Sequence, residues 1–428
     1  MNLAQLSLEQ APPLSIPLRF LLTAPLFLLA AGLLLLLYGD LILLSRWHPA
    51  TSALTHLMTL GVITMVMVGA LTQMFPVIAA SPLPGIRWLG PLLHLLLVSG
   101  TLLLVSGLLA PYSAPLLQLA SGVLALAITL LLLATTRALL RVRRHAPATY
   151  GIAGALLALA ITLLLGLLLT LALSGTWVIS GNLRYLTTLH YGWGIGGWIG
   201  CLIIAVAYQV IPMFYVTPDF PRPLTIFMIP LLLLLLLLWS LWPTPWLLYG
   251  LFALFTLIAV VAWRLLGQRR RHNRDPSLLF WRSALLLLPL LLLLEPLTDG
   301  IGWSRGQSEL AIGVVLLFGI VLPILCGMLL RIVPFLCWFH LHHQQLTSGR
   351  FTHPLPSMKE LLPDRLAHLL FGNQLLLLTA LLLAIHHPAS VPLAGLLLTL
   401  QGGLLFAILA QAVLRFRHEQ KRVAESQI

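Results

Sequence analysis

Twelve stretches of this chain are apolar over a length that crosses a hydrocarbon core, and that excludes a water-soluble core-and-surface fold. A membrane-spanning helix needs about 20 such residues. The runs begin near Pro17, Ala53, Trp88, Pro115, Tyr150, Leu189, Pro223, Pro245, Leu278, Glu309, Leu366 and Val391. With 60% hydrophobic and 8% charged residues among 428 positions, no segment offers the polar surface of an independent soluble domain. The expected fold is an all-α membrane protein of twelve transmembrane helices forming a single transmembrane domain, 1–428. The break at Trp242, Pro243 and Pro245 is either a tight turn between two spans or a kink. The longest loop, 335–364, is expected to lie along the cytoplasmic interface.

Basic residues orient the chain, because Lys and Arg are retained in cytoplasmic loops. Arg137, Arg141, Arg143 and Arg144 follow span four. Arg264, Arg269, Arg270, Arg271, Arg274 and Arg282 surround the loop after span eight, and Arg415, Arg417, Lys421 and Arg422 follow span twelve. Of 24 basic residues, Arg46, Arg184 and Arg305 alone fall in the opposite loops. Both termini are therefore expected in the cytoplasm of a bacterium, with the chain in its inner membrane and the lipid bilayer as its first partner. The net charge of +13 follows from this topology, and arginines scattered over short loops do not point to nucleic acid. The first apolar run is long and lacks a small-x-small cleavage site, so it is read as span one and not as a signal peptide. Cys201, Cys326 and Cys337 fall in or beside spans, which indicates no disulfide framework.

A short pattern recurs every fourth span: a small residue, a polar one four later, and a proline three after that. It reads Gly69, Gln73, Pro76, then Ala205, Gln209, Pro212, then Gly327, Arg331, Pro334. The pattern predicts three pseudo-symmetric four-helix units, approximately 17–137, 150–266 and 278–414, in parallel arrangement because four spans return the chain to one side. Small residues and prolines are also common in unrelated membrane helices.

Titratable or metal-binding side chains inside a membrane are costly, so each is a candidate site. His56 opens span two and His190 opens span six, 20 and 22 residues before the repeat prolines, hence at similar depth near the periplasmic side. A neutral imidazole ligates haem iron or copper; a histidine at the interface also simply hydrogen-bonds a neighbouring helix. Gly192, Gly194, Gly196, Gly197 and Gly200 make one face of span six nearly free of side chains, open to a close helix or to a flat cofactor. Cys337, His340, His342, His343 and His353 follow span ten with a spacing that matches no zinc-finger or HExxH pattern. Glu295 and Asp299 end span nine, His386 and His387 end span eleven, and His94 in span three is read as structural.

Twelve spans, three four-helix units and a histidine on span two together resemble subunit I of haem-copper oxidases, with the related nitric oxide reductases and NnrS-type membrane haem proteins. The pieces Gln73-Met74-Phe75-Pro76, Tyr208 to Phe214 and Arg331 to His340 also look like a group of uncharacterised bacterial membrane proteins on this scaffold. The resemblance implies that His56 takes the place of a low-spin haem ligand and His190 that of a copper ligand. Arg46 and Arg184 would then meet haem propionates through charge-assisted bonds. Spans seven and ten lack the histidines an oxidase needs, so a terminal oxidase is excluded. The implied function is haem binding, with copper as a second cofactor, in nitric oxide response or in respiratory redox and metal homeostasis, beside respiratory-chain partners. Two rival classes stay open: a secondary transporter, which repeats and mid-helix Gly and Pro also suit, and a structural or assembly partner of a respiratory complex.

Overall fold

In the computed structural model all twelve runs are helices long and apolar enough to cross a membrane. The structure describes residues 12–79, 83–110, 112–142, 146–177, 181–270, 275–348 and 354–425. Arg143, Arg144, Arg271, Arg274 and His353 lie outside the described residues, as does the side chain of Pro76. Spans one to six are Ser15–Ile42, Pro49–Gln73, Ile86–Leu109, Ala114–Leu139, Pro147–Leu173 and Leu183–Tyr215. Spans seven to twelve are Arg222–Leu241, Pro245–Gly267, Pro276–Gly300, Arg305–Thr347, Asp364–Ala384 and Pro388–Val423.

Several helices start earlier than their apolar runs because polar or proline-bearing first turns carry no hydropathy signal. Pro49, Pro115, Pro147, Pro223, Pro245 and Pro276 each occupy one of the first two helical positions, where the missing N–H is not needed and φ is already helical. Span six begins at Leu183 because Asn182 caps it, its side chain accepting from the backbone N–H groups of Arg184 and Tyr185. The break near Trp242 is a tight turn: the Trp242 N–H donates to Leu238 O at 2.8 Å, and the next helix starts at Pro245.

One expectation needs correction. Phe335 to Ser348 is not loop but a continuation of the helix Leu322–Ser348 that carries span ten through Pro334. Proline removes one backbone hydrogen bond, and neighbouring helices in a membrane bundle tolerate that loss. Here the exit turn is held by rings: Phe335 packs on Phe214 at 5.5 Å and on Phe339 at 5.6 Å.

Spans two, six and ten form the interior. Their most apolar windows are 78%, 67% and 83% buried, against 56% or less for the other nine, so the remaining helices surround them. Packing partners recur with an offset of four spans: one with two, five with six, nine with ten; four with five, eight with nine, twelve with one. Spans one and twelve approach almost backbone to backbone. A Cβ on Gly32 would strike Thr399, and one on Gly402 would strike Leu29 and Pro25.

Each interior helix also carries a π-helical segment: Leu57–Thr64, Gly192–Ile199 and Val315–Val321. A π turn widens the helix by one residue and misaligns its carbonyls. In span ten Gln374 from span eleven answers this, its Nε2 donating to Phe318 O at 2.6 Å. Gln374 Oε1 in turn accepts from Gln401 Nε2 at 3.0 Å, and Gln401 Oε1 from Asn373 Nδ2 at 2.7 Å. The segments of spans two and six meet directly, Trp198 Nε1 donating to Thr64 Oγ1 at 3.4 Å. The three cysteines are buried and unpaired.

Candidate functional site: a histidine pair in a membrane cavity

His56 is the last residue before the π segment of span two, and His190 stands two residues before that of span six. Tertiary packing brings them together. Their ring centroids are 6.1 Å apart with planes 27° from parallel. His56 Nδ1 donates to Ser52 O at 2.7 Å, within its own helix. His190 Nδ1 donates to Thr162 O of span five at 3.0 Å. A carbonyl oxygen only accepts, so each neutral ring carries its proton on Nδ1 and presents a bare Nε2 lone pair. This is the second-shell arrangement that orients histidine ligands.

Both rings line a cavity of about 740 Å³ enclosed chiefly by spans two, four, five, six and ten. Gly166 makes room for one of them, since a Cβ there would lie 3.0 Å from His190 Cε1. Threonines and serines dot the walls, among them Thr55, Thr59, Ser121, Thr162 and Thr170. Tyr112, in the turn between spans three and four, adopts φ 56° and borders the same space; burial raises its hydroxyl above the ordinary tyrosine value, so it stays a neutral phenol.

Arg46 and Arg184 also line this cavity. The turn holding Arg46 is tied by Thr51, whose hydroxyl reaches Ile42 O at 2.6 Å and Ser45 O at 2.8 Å. His48 then caps span two by accepting from Ala50 N at 3.2 Å. Trp47 sits between the two guanidinium groups, 4.2 Å from that of Arg46 and 5.5 Å from that of Arg184. Sequence reasoning missed the acid beside them: Glu309 Oε2 lies 3.0 Å from Arg46 Nε, and its Oε1 lies 3.5 Å from Arg305 Nε. The Arg46 contact lacks hydrogen-bond alignment, leaving Arg46 Nε buried without a hydrogen-bond partner. The signal was available, because Glu309 opens span ten on the face where the three outlying arginines gather.

Other candidates resolve individually. The glycine face of span six is mainly a packing surface: a Cβ on Gly192 would strike Trp239, on Gly197 Ala158, and on Gly200 Phe255. Gly194 is the member of that face that borders the histidine cavity. His340 and His342 donate from Nδ1 to Leu336 O and Trp338 O one helical turn back. No group of three or more His, Cys, Asp or Glu able to hold a metal ion occurs among the described residues. His94 hydrogen-bonds Thr23 Oγ1 at 2.9 Å and packs edge-on against Phe20, a structural role. His386 stacks on Trp303 at 5.9 Å. Glu295 lines the cavity and accepts from Tyr249 OH at 3.2 Å.

At the opposite end of the bundle, repeat residue Arg331 pairs with Asp275 and donates from Nε to Ser277 Oγ at 3.1 Å. Ser277 also meets Tyr215 OH at 2.8 Å, so spans six, nine and ten are joined there.

Searches with this chain against protein-family models and against curated proteins give no match. The reading of the site therefore rests on its own geometry.

Proposed function

We propose that the chain is a bacterial inner-membrane haem protein in which His56 and His190 would together hold one haem through their Nε2 atoms. The observation that carries this is a pair of imidazoles in one cavity, ring centroids 6.1 Å apart, each with Nδ1 committed to a backbone carbonyl and Nε2 left free as a ligand. Two iron–nitrogen bonds of about 2 Å, with each ring centre about 1.1 Å beyond its nitrogen, set imidazole centroids about 6.2 Å apart. The observed 6.1 Å also falls in the range of ordinary offset ring stacking. The committed Nδ1 atoms and the 740 Å³ of space beside the rings favour the ligand role over plain stacking. The haem fits better than a bare copper ion. A porphyrin brings four of six ligands itself, whereas a bare ion in a protein site usually takes three or more protein ligands.

Arg46 and Arg184 line the same cavity and would receive two propionates, Arg46 having a hydrogen-bond donor to spare. Glu309 would hold Arg46 in position. When bound, the haem would supply one-electron redox chemistry, which suits a role in redox homeostasis. The offset-of-four packing and the three π segments support three related four-helix units. The segregation of arginines supports cytoplasmic termini.

The test is the visible spectrum of protein purified from haem-replete cells. A Soret band with sharp α and β bands on reduction is expected, lost or shifted in His56→Ala and in His190→Ala with membrane insertion retained. Protein with neither haem nor stoichiometric metal would refute the proposal and turn the same cavity into evidence for the transporter.

A further inference from the structure

A second cavity lies beside the histidine site, and we infer that it is a binding site for a small uncharged apolar molecule, of the class of xenon or a diatomic gas. It is a cleft lined by spans six to ten and measures about 120 Å³. It is long and narrow: its wall on span six runs from Tyr191 to Ala207, about 24 Å of helix.

Three observations fix the ligand class. First, the lining is aliphatic and aromatic along its length, with Ile204, Phe255, Leu288 and Ile320 typical. Trp281 Nε1, on a wall residue, is buried without a partner, yet one donor is too few for a water, which needs two to four polar contacts. The cavity is therefore dry. Second, 120 Å³ is close to apolar cavities of about 150 Å³ that stay empty of water and take benzene or xenon. Third, it shares six wall residues with the histidine cavity: Tyr191, Ile195, Ile199, Trp239, Leu248 and Phe252. A molecule held against those residues is separated from the histidine cavity by one layer of side chains.

The assignment does not depend on haem, and its test is read without it. Xenon is added to purified protein and located by xenon-derivative diffraction, with affinity taken from ¹²⁹Xe NMR. Xenon is expected in the cleft of wild type and, equally, of His56→Ala. Gly196 lines the cleft, and a Cβ there would meet Leu236 at an ordinary 3.6 Å. Gly196→Leu should therefore fold, fill the space and weaken xenon binding by about tenfold or more. Ile320→Val, which removes one methyl from the wall, should strengthen it. No xenon in the cleft, water or an ordered acyl chain in its place, or affinity unmoved by both variants, overturns the assignment. If Gly196→Leu does not insert, the Ile320→Val result decides.

Discussion

His56 and His190, 134 residues apart in the chain, face one another at a ring separation of 6.1 Å with each Nδ1 bound to a backbone carbonyl. Those carbonyls belong to Ser52 in the same helix and to Thr162 in span five, so the ring orientations are fixed by three spans together. If the proposed haem is bound there, near-parallel imidazole planes should give a rhombic low-spin ferric signal in electron paramagnetic resonance. Either single His→Ala variant should convert it to high spin. A high-spin signal in wild type would remove the two-sided ligation.

Gly166 offers a subtler probe. Its Cβ would stand 3.0 Å from His190 Cε1, so Gly166→Ala should displace the ring by a few tenths of an ångström and shift the haem spectrum while the bundle stays intact. Gly122→Ala meets nothing within 4 Å and should change neither spectrum nor melting temperature. Equal behaviour of the two variants would show that His190 does not touch the cofactor.

The Arg46 and Glu309 pair is partly solvated, with side-chain exposures of 31% and 26%. Glu309→Gln should therefore lower stability by no more than about 1 kcal/mol. Its larger effect should be on the cofactor: removing the acid beside a propionate-binding arginine raises the local positive potential and should raise the haem midpoint potential. An unchanged potential would place Arg46 outside the haem environment.

At the other end, Arg331→Met would strand Asp275, which is mostly buried. Discounted for partial exposure, the loss should be about 2–3 kcal/mol, and the double variant with Asp275→Leu should recover most of it. Denaturation in mild detergent measures both. A single variant as stable as wild type would show that the Arg331 pair does not fasten spans nine and ten.

Reporter fusions after Arg137, Gly267 and Arg422 should all report cytoplasm, and one after Gly302 the periplasm. A periplasmic signal after Gly267 would break the positive-inside topology and with it the equivalence of the three four-helix units.

The sequence by itself determined the number of spans and which helices carry histidine, because length and apolarity in lipid leave few alternatives to a membrane helix. Arg46 and Arg184 were legible too, since any basic residue on the arginine-poor face stands out. What the chain could not announce is what depends on partners. Helix starts at Leu183 and Arg305 lie upstream of the apolar runs because capping residues set them, and hydropathy does not register Asn182 or Ser304. Phe335 to Ser348 remains helical past Pro334 because aromatic neighbours compensate the proline. Gly192 and Gly200 face Trp239 and Phe255 of other spans and Gly197 abuts Ala158, so the same glycines that suggested a cofactor edge serve close packing. The π segments lie on the three most buried helices, and no local propensity marks them. Above all, the 6.1 Å between His56 and His190, and the placing of Glu309 against Arg46, are distances between residues on different spans. Only the packing of the whole bundle sets them.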